Sequence, residues 1–202
     1  MYNDITCVVL CGGKSTRMKE NKSFLKFGDK NTIEIVVDLV KSKFHRVILS
    51  TNSPADYEFL NLEMIEDVHK NAGPLAGIHA GLLNSNTKKN FVIGCDIPLM
   101  TSGMIDFIIE YPSKELITVP KADGFLQQLC ALYDKDCILT IEQILKSNSK
   151  ENQKHKCKIL TLIDRVGAEI INVENEFPQY PGNLFLNMNY PDDYQTALKL
   201  LE

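Results

Sequence analysis

TCVVLCGGKSTRM, from Thr6 to Met18, runs an apolar β-type segment into two adjacent glycines and then into cationic side chains. The β-branched pair Val8 and Val9 marks a buried parallel strand. Gly12 and Gly13 free the backbone to turn, so that its N–H groups can face an anion. Lys14, Arg17 and, slightly later, Lys22 bring positive charge to the same strand end, which suggests a polyphosphate ligand. Two common readings fail. A P-loop needs a glycine five positions before Gly13, where Val8 stands, and a GxGxxG fingerprint needs a third glycine that Ser15 to Met18 do not supply. What the residues leave is a glycine turn of another nucleotide-binding kind, or an ordinary glycine turn beside solvated lysines.

Working outward, the strand–loop–helix pattern recurs. Asn31 or Thr32 caps a helix with Ile33, Val36, Val37 and Val40 at helical spacing, ending near Lys41 and Lys43. A strand from Arg46 to Ser50 stops at Thr51 and Asn52, and a strand-like Met64 to Glu66 stops at Asp67. Gly73, Pro74 and Gly77 then open a helix through Leu83. Phe91 to Cys95 reads as a buried strand ending at Asp96, with Thr101 placed to cap the next helix. The alternation predicts an α/β fold of Rossmann-like type: a doubly wound, mostly parallel sheet with helices on both faces. In such sheets ligands bind outside the carboxyl ends of the strands. Gly12, Gly13, Asn52, Asp67 and Asp96 all fall at such ends and are expected to share one crevice.

The second half is less regular. Gln127 to Asp134 reads as a strand, Ile138 to Leu145 and Cys157 to Ile163 as helices, and Glu169 to Val173 as a strand. Ser147 to Lys158 is polar and reads as a mobile surface loop. Phe185 to Met188 reads as a short strand before a helix that starts at Pro191 and sets Tyr194, Ala197, Leu198 and Leu201 on one face. By alternation Asn187 and Asn189 point to the same side.

The bulk numbers set the frame. A chain of 202 residues with 44% hydrophobic content predicts a single domain over residues 1–202. A net charge of −4 argues against a nucleic-acid surface, so any anion site is local. The six cysteines form no CxxC pair and read as small buried hydrophobes. The four dispersed histidines show no metal-ligand spacing. No apolar run is long enough to span a membrane and the N-terminus has no secretory pattern, so a cytoplasmic protein is expected.

Each candidate has a plainer alternative. Asp96 suits either a turn carboxylate or a magnesium ligand beside phosphates. Asn52 and Asp67 could simply terminate strands. Lys22 could be a solvated lysine, Arg17 a loop pin through backbone carbonyls, and Asn187 and Asn189 helix-entry residues.

Taken together, the segments resemble those of the molybdenum cofactor guanylyltransferases. Their opening LAGGxSxRMGxDK is matched by LCGGKSTRMKENK from Leu10 to Lys22. The likeness continues through the strand ending at Asn52, IED at Ile65 to Asp67, GPLAGI at Gly73 to Ile78, and CDIP at Cys95 to Pro98. LCALYD at Leu129 to Asp134 and FLNMNYPDDY at Phe185 to Tyr194 follow in order.

The resemblance implies a nucleotidyltransferase that moves GMP from GTP to molybdopterin. Leu10, Cys11, Gly12 and Gly13 would meet the nucleotide, with Lys22, Asn52, Asp67 and Asp96 completing the GTP site. Asp96 would also hold Mg2+, Lys22, Arg17 and Asp96 would be catalytic, and Asn187 and Asn189 would face molybdopterin. Transient contacts with other cofactor-assembly proteins and apo-molybdoenzymes are implied as well. Three positions depart from the pattern: Cys11 for alanine, Lys19 for glycine and Asn21 for aspartate. The rival readings are a cytidylyltransferase acting on the same pterin and a non-catalytic nucleotide-binding homologue. The former tends to carry LAAG at the opening and lacks GPLAG, and retention of Lys22 and Asp96 speaks against the latter.

Overall fold

The computed structural model describes residues 1–12, 21–149, 158–178 and 180–201. In chain order the elements are β1 (Tyr2–Cys11), β2 (Lys26–Phe27), β3 (Lys30–Asn31), α1 (Thr32–Lys43), β4 (Phe44–Thr51), β5 (Glu63–Ile65), α2 (Pro74–Asn84), β6 (Lys89–Gly94) and α3 (Ser102–Glu110). There follow β7 (Ile117–Ala122), β8 (Phe125–Leu126), β9 (Cys130–Asp134), α4 (Ile138–Ser149), α5 (Ile159–Val166), β10 (Glu169–Asn172), α6 (Val173–Glu176) and α7 (Pro191–Leu201).

The main sheet runs in the order β10-β7-β9-β6-β1-β4-β5, with β8 added on β7. β6, β1, β4 and β5 are mutually parallel, and β10 is parallel to β7. β9 is reversed against both β6 and β7. The sheet is therefore mostly parallel, as the alternation predicts, with one internal strand inverted.

β1 shows why two layers of helix are needed. Cys7, Val9 and Cys11 pack on one face with Ile33, Val36 and Val40 of α1, and Val8 and Leu10 pack on the other with Leu75, Ile78 and Leu82 of α2. A strand buried on both faces is continuously apolar, which is the pattern Cys7 to Cys11 presents. Asn31 precedes α1 and its N–H donates to Glu34 at 2.7 Å, while Thr101 before α3 accepts from the Met104 N–H at 3.3 Å.

A third, smaller cluster of Leu25, Phe27, Met188 and Ala197 joins the β2-β3 hairpin to α7. Tyr194 meets Phe27 edge-on at 5.3 Å, and its hydroxyl donates to the Lys26 carbonyl. This cluster fastens the C-terminal segment to the turn that follows the glycine loop.

Several boundaries differ from the sequence expectation. Phe185 to Met188 is not a strand; it crosses the strand ends as an irregular segment, held by a Leu186 N–H to Asn183 carbonyl turn at 2.9 Å. The strand expected from Gln127 starts only at Cys130, because the preceding residues turn back from β8. Ser147 to Ser149 extend α4 rather than a loop, and 150–157 lie outside the described residues. The helix expected from Cys157 begins at Ile159.

α2 lies against β1 at Gly81. A Cβ added there would fall 2.6 Å from Val8 Cγ1 and 2.8 Å from Val8 Cγ2, in a fully buried layer. Gly81→Ala is expected to destabilise the fold by about 1–3 kcal/mol through overpacking, against about 1 kcal/mol of helix propensity gained. Urea unfolding checks this; a rise in midpoint would show that the layer yields.

Candidate active site

The site is assembled at the carboxyl edge of the parallel strands. Lys22 sits in a short 3-10 turn, Lys22–Phe24, and Asn21 caps it by accepting the Ser23 N–H at 3.2 Å. Ser23 is buried and Phe24 stacks on Tyr57 at 5.3 Å, so the turn is anchored on both sides of the lysine. The Lys22 side chain is directed along the edge and is only 18% exposed.

Its Nζ lies 3.8 Å from Asp96 Oδ2 and donates to Asn189 Oδ1 at 2.5 Å. With its amide nitrogen turned toward the carboxylate, Asn187 Nδ2 lies 2.8 Å from both Asp96 oxygens; the opposite orientation would set oxygen against oxygen. Met188, between the two asparagines, is completely buried, and its N–H reaches the Asp96 carbonyl at 3.4 Å. With Met188 buried between them, both neighbours turn to the side of Lys22 and Asp96, although the segment is not a strand. Asp193, in the first turn of α7, accepts the N–H groups of Asn189 and Tyr190 at 2.8 Å each and fixes the segment's exit.

Asp96 retains 21% of its side-chain surface, at the mouth of a cavity. Burial pushes its carboxyl above the usual carboxylate range; Lys22 and a backbone hydrogen bond oppose this without cancelling it.

The other half of the edge lies past β1. Asn52 follows β4 and Asp67 follows β5, and they bond reciprocally: Asn52 Nδ2 donates to Asp67 Oδ2 at 2.8 Å and the Asp67 N–H to Asn52 Oδ1 at 3.3 Å. Gly77, in the first turns of α2, is closely approached: a Cβ there would lie 3.0 Å from Leu10, 3.2 Å from Ser50 Oγ and 3.6 Å from Asp67 Oδ1. Cys11 buries its thiol in the core, and Gly12 is exposed, with nothing among the described residues crowding it. Residues 10–12 can therefore address a ligand chiefly through backbone. At the sheet's strand spacing, β6 to β5 spans about 14 Å, room for a nucleotide laid across the edge.

Residues 7–159 match the family described as the MobA-like NTP transferase domain. The chain belongs to this family. It is 32% identical over 204 residues to a Carboxydothermus hydrogenoformans protein named "Probable molybdenum cofactor guanylyltransferase", covering 98% of this chain and 96% of that one. A Clostridium perfringens protein of the same name is 30% identical, with 98% of each chain covered. The solved structure of molybdopterin-guanine dinucleotide biosynthesis protein A from Archaeoglobus fulgidus superposes with a TM-score of 0.80 at 25% identity, covering 96% of this chain and 97% of that one.

In this MobA-like NTP transferase the expected residues form two groups: Lys22, Asp96, Asn187 and Asn189 in direct contact, and Asn52 with Asp67 at the far end. Gly13 and Arg17 lie outside the described residues. The sequence reading missed the wall facing Asp96. A cavity of about 230 Å³ opens there, lined by Asp96, Asn187, Phe185, Gln127, Gln128 and Leu129 among others. Gln127 donates to the Ala122 and Phe125 carbonyls at 3.2 and 3.4 Å, and Tyr133 donates to the Gln128 carbonyl at 2.8 Å. The signal was available in the glutamine pair that precedes LCALYD.

Proposed function

We propose that this chain transfers GMP from GTP to molybdopterin, giving molybdopterin guanine dinucleotide and pyrophosphate. The observation that supports the reading is Asp96, which stands between two groups of polar and glycine residues on the strand edge. On its β1-β4-β5 side lie Gly12, Asn52, Asp67 and Gly77; on its β9 side lies the cavity with Asn187 and Gln128. A transferase joining two substrates needs such a shared wall. The family names its relatives carry supply the identities of those substrates.

The terminal phosphate oxygen of molybdopterin attacks the α-phosphorus of GTP, a new P–O bond forms, and the bond to the β-phosphate oxygen breaks. A phosphate monoester is already anionic near neutral pH, so no general base is required. Catalysis then consists of aligning two anions and neutralising charge on the triphosphate. Lys22, held by Asn189, is aimed at that charge, with Arg17 and the Gly12–Gly13 amides as further donors. Asn187 fixes the Asp96 carboxylate, and Asn187 and Asn189 border the molybdopterin side.

A divalent ion fits this donor set. Asp96 presents a single carboxylate at the mouth of the cavity, on the edge proposed here for the phosphates. That combination suits Mg2+, which binds through one or two carboxylates with phosphates and water completing its shell. Bound at Asp96, it would supply charge neutralisation on the phosphates.

Among the described residues no helix is long and apolar enough to cross a membrane. Incubation with molybdopterin, Mg2+ and labelled GTP or CTP tests the reading. Label from GTP is expected in the dinucleotide product. Label from CTP alone would make the chain a cytidylyltransferase, and transfer from neither would make it a non-catalytic homologue.

A further inference from the structure

We infer that Tyr57 is a positioning residue for Lys22, acting through a closed hydrogen-bond ring with Asn21 and Ser23. The inference rests on the role proposed above for Lys22. Three side-chain contacts make the ring: Asn21 Nδ2 donates to the Tyr57 hydroxyl at 3.2 Å, Tyr57 and Ser23 hydroxyls lie 2.9 Å apart, and Ser23 Oγ donates to Asn21 Oδ1 at 2.8 Å. The proton order follows from the inventory of each group. Asn21 Oδ1 can only accept, so the single Ser23 proton is committed to it, and Tyr57 must therefore donate to Ser23. Each hydroxyl donates once and accepts once, an arrangement in which neighbouring bonds polarise one another.

The ring involves both chain neighbours of Lys22. With Asn21 and Ser23 tied to Tyr57, and Phe24 stacked on the same ring at 5.3 Å and 17°, the lysine is the residue of the turn that projects toward Asp96. Tyr57 is itself 4% exposed, within a 3-10 segment, Pro54–Leu60, that follows β4 and Asn52. The ring thereby joins the turn bearing Lys22 to the strand end bearing Asn52, which otherwise lie on different loops of the edge.

It also gives the amide of Asn21 a role of its own. An amide can accept from Ser23 and donate to Tyr57 at once, whereas a carboxylate could only accept. Tyr57 would then have to turn its proton from Ser23 to residue 21.

Tyr57→Phe removes the hydroxyl and leaves the aromatic stack in place. In GMP transfer from GTP, kcat is expected to fall about tenfold with the KM for GTP within about twofold, the pattern of a misplaced catalytic group. Asn21→Ala, at an exposed position, should reproduce the loss without touching the core. In the Lys22→Ala background, adding Tyr57→Phe is expected to cost almost nothing further, since residues acting as one unit are not additive. Full kcat in both single variants, or a multiplicative loss in the double variant, overturns the inference while leaving Lys22 in its role. An unimpaired Lys22→Ala enzyme overturns the role of Lys22, and this inference with it.

Discussion

Asp96→Asn protein is expected to lose GMP transfer by about 10³-fold or more, equivalent to about 4 kcal/mol of transition-state stabilisation, while folding as the parent does. The substitution keeps the side chain's shape and an acceptor for Asn187, and removes the charge that faces both Lys22 and the cavity. Steady-state transfer at saturating Mg2+ measures it, and full activity would remove Asp96 from the reaction.

The same variant has an opposite effect on stability. Because burial raises the Asp96 carboxyl, the folded metal-free chain holds that proton more tightly than the unfolded chain does. Stability therefore falls as pH rises from the unfolded value, about 3.9, through the folded one, and above that window the charge opposes folding in full. Metal-free Asp96→Asn is expected to unfold at a higher temperature than the parent at pH 7, with the gap closing as pH approaches 4. An unchanged or lower midpoint at pH 7 would mean that Lys22 and Asn187 offset the burial of the carboxylate. Activity and stability thus pull against each other at this position, a common cost of a preorganised site.

The residues most legible in the sequence were those whose chemistry and position coincide. An apolar strand ending in glycines, and carboxylates or amides directly after further strands, place Gly12, Asn52, Asp67 and Asp96 on one edge by topology alone. Gln127 and Gln128 escaped the same rule because β9 is inverted: it brings its amino end, not its carboxyl end, to the crevice. Periodicity does not distinguish the two directions. Tyr57 escaped because its neighbours in the folded chain are more than thirty positions away, and nothing in PADYEFL signals a hydroxyl shared with Asn21 and Ser23. Asn187 and Asn189 share one side, as expected, but not as parts of a strand. The buried Met188, rather than strand pairing, enforces the alternation.

Lys22→Ala is expected to lower transfer at least about tenfold, the rate equivalent of about 1.4 kcal/mol, with the larger change in kcat rather than in KM for GTP. Among the described residues, Asn189 Oδ1 at 2.5 Å and Asp96 Oδ2 at 3.8 Å bear on the lysine's place. The first is shorter and to a neutral group, so of these two the asparagine orients the ammonium. In the proposed reaction its positive charge faces the phosphates on which negative charge builds. Lys22→Arg is not expected to rescue the loss. A planar, longer guanidinium cannot occupy an 18% exposed slot fitted to a compact ammonium without displacing Asn189 or Asp96. Parallel kinetics of the two variants decide the point. Near-parental kcat in Lys22→Arg would mean that charge alone matters at this position, and near-parental kcat in Lys22→Ala would place the charge-stabilising role on other groups of the glycine loop.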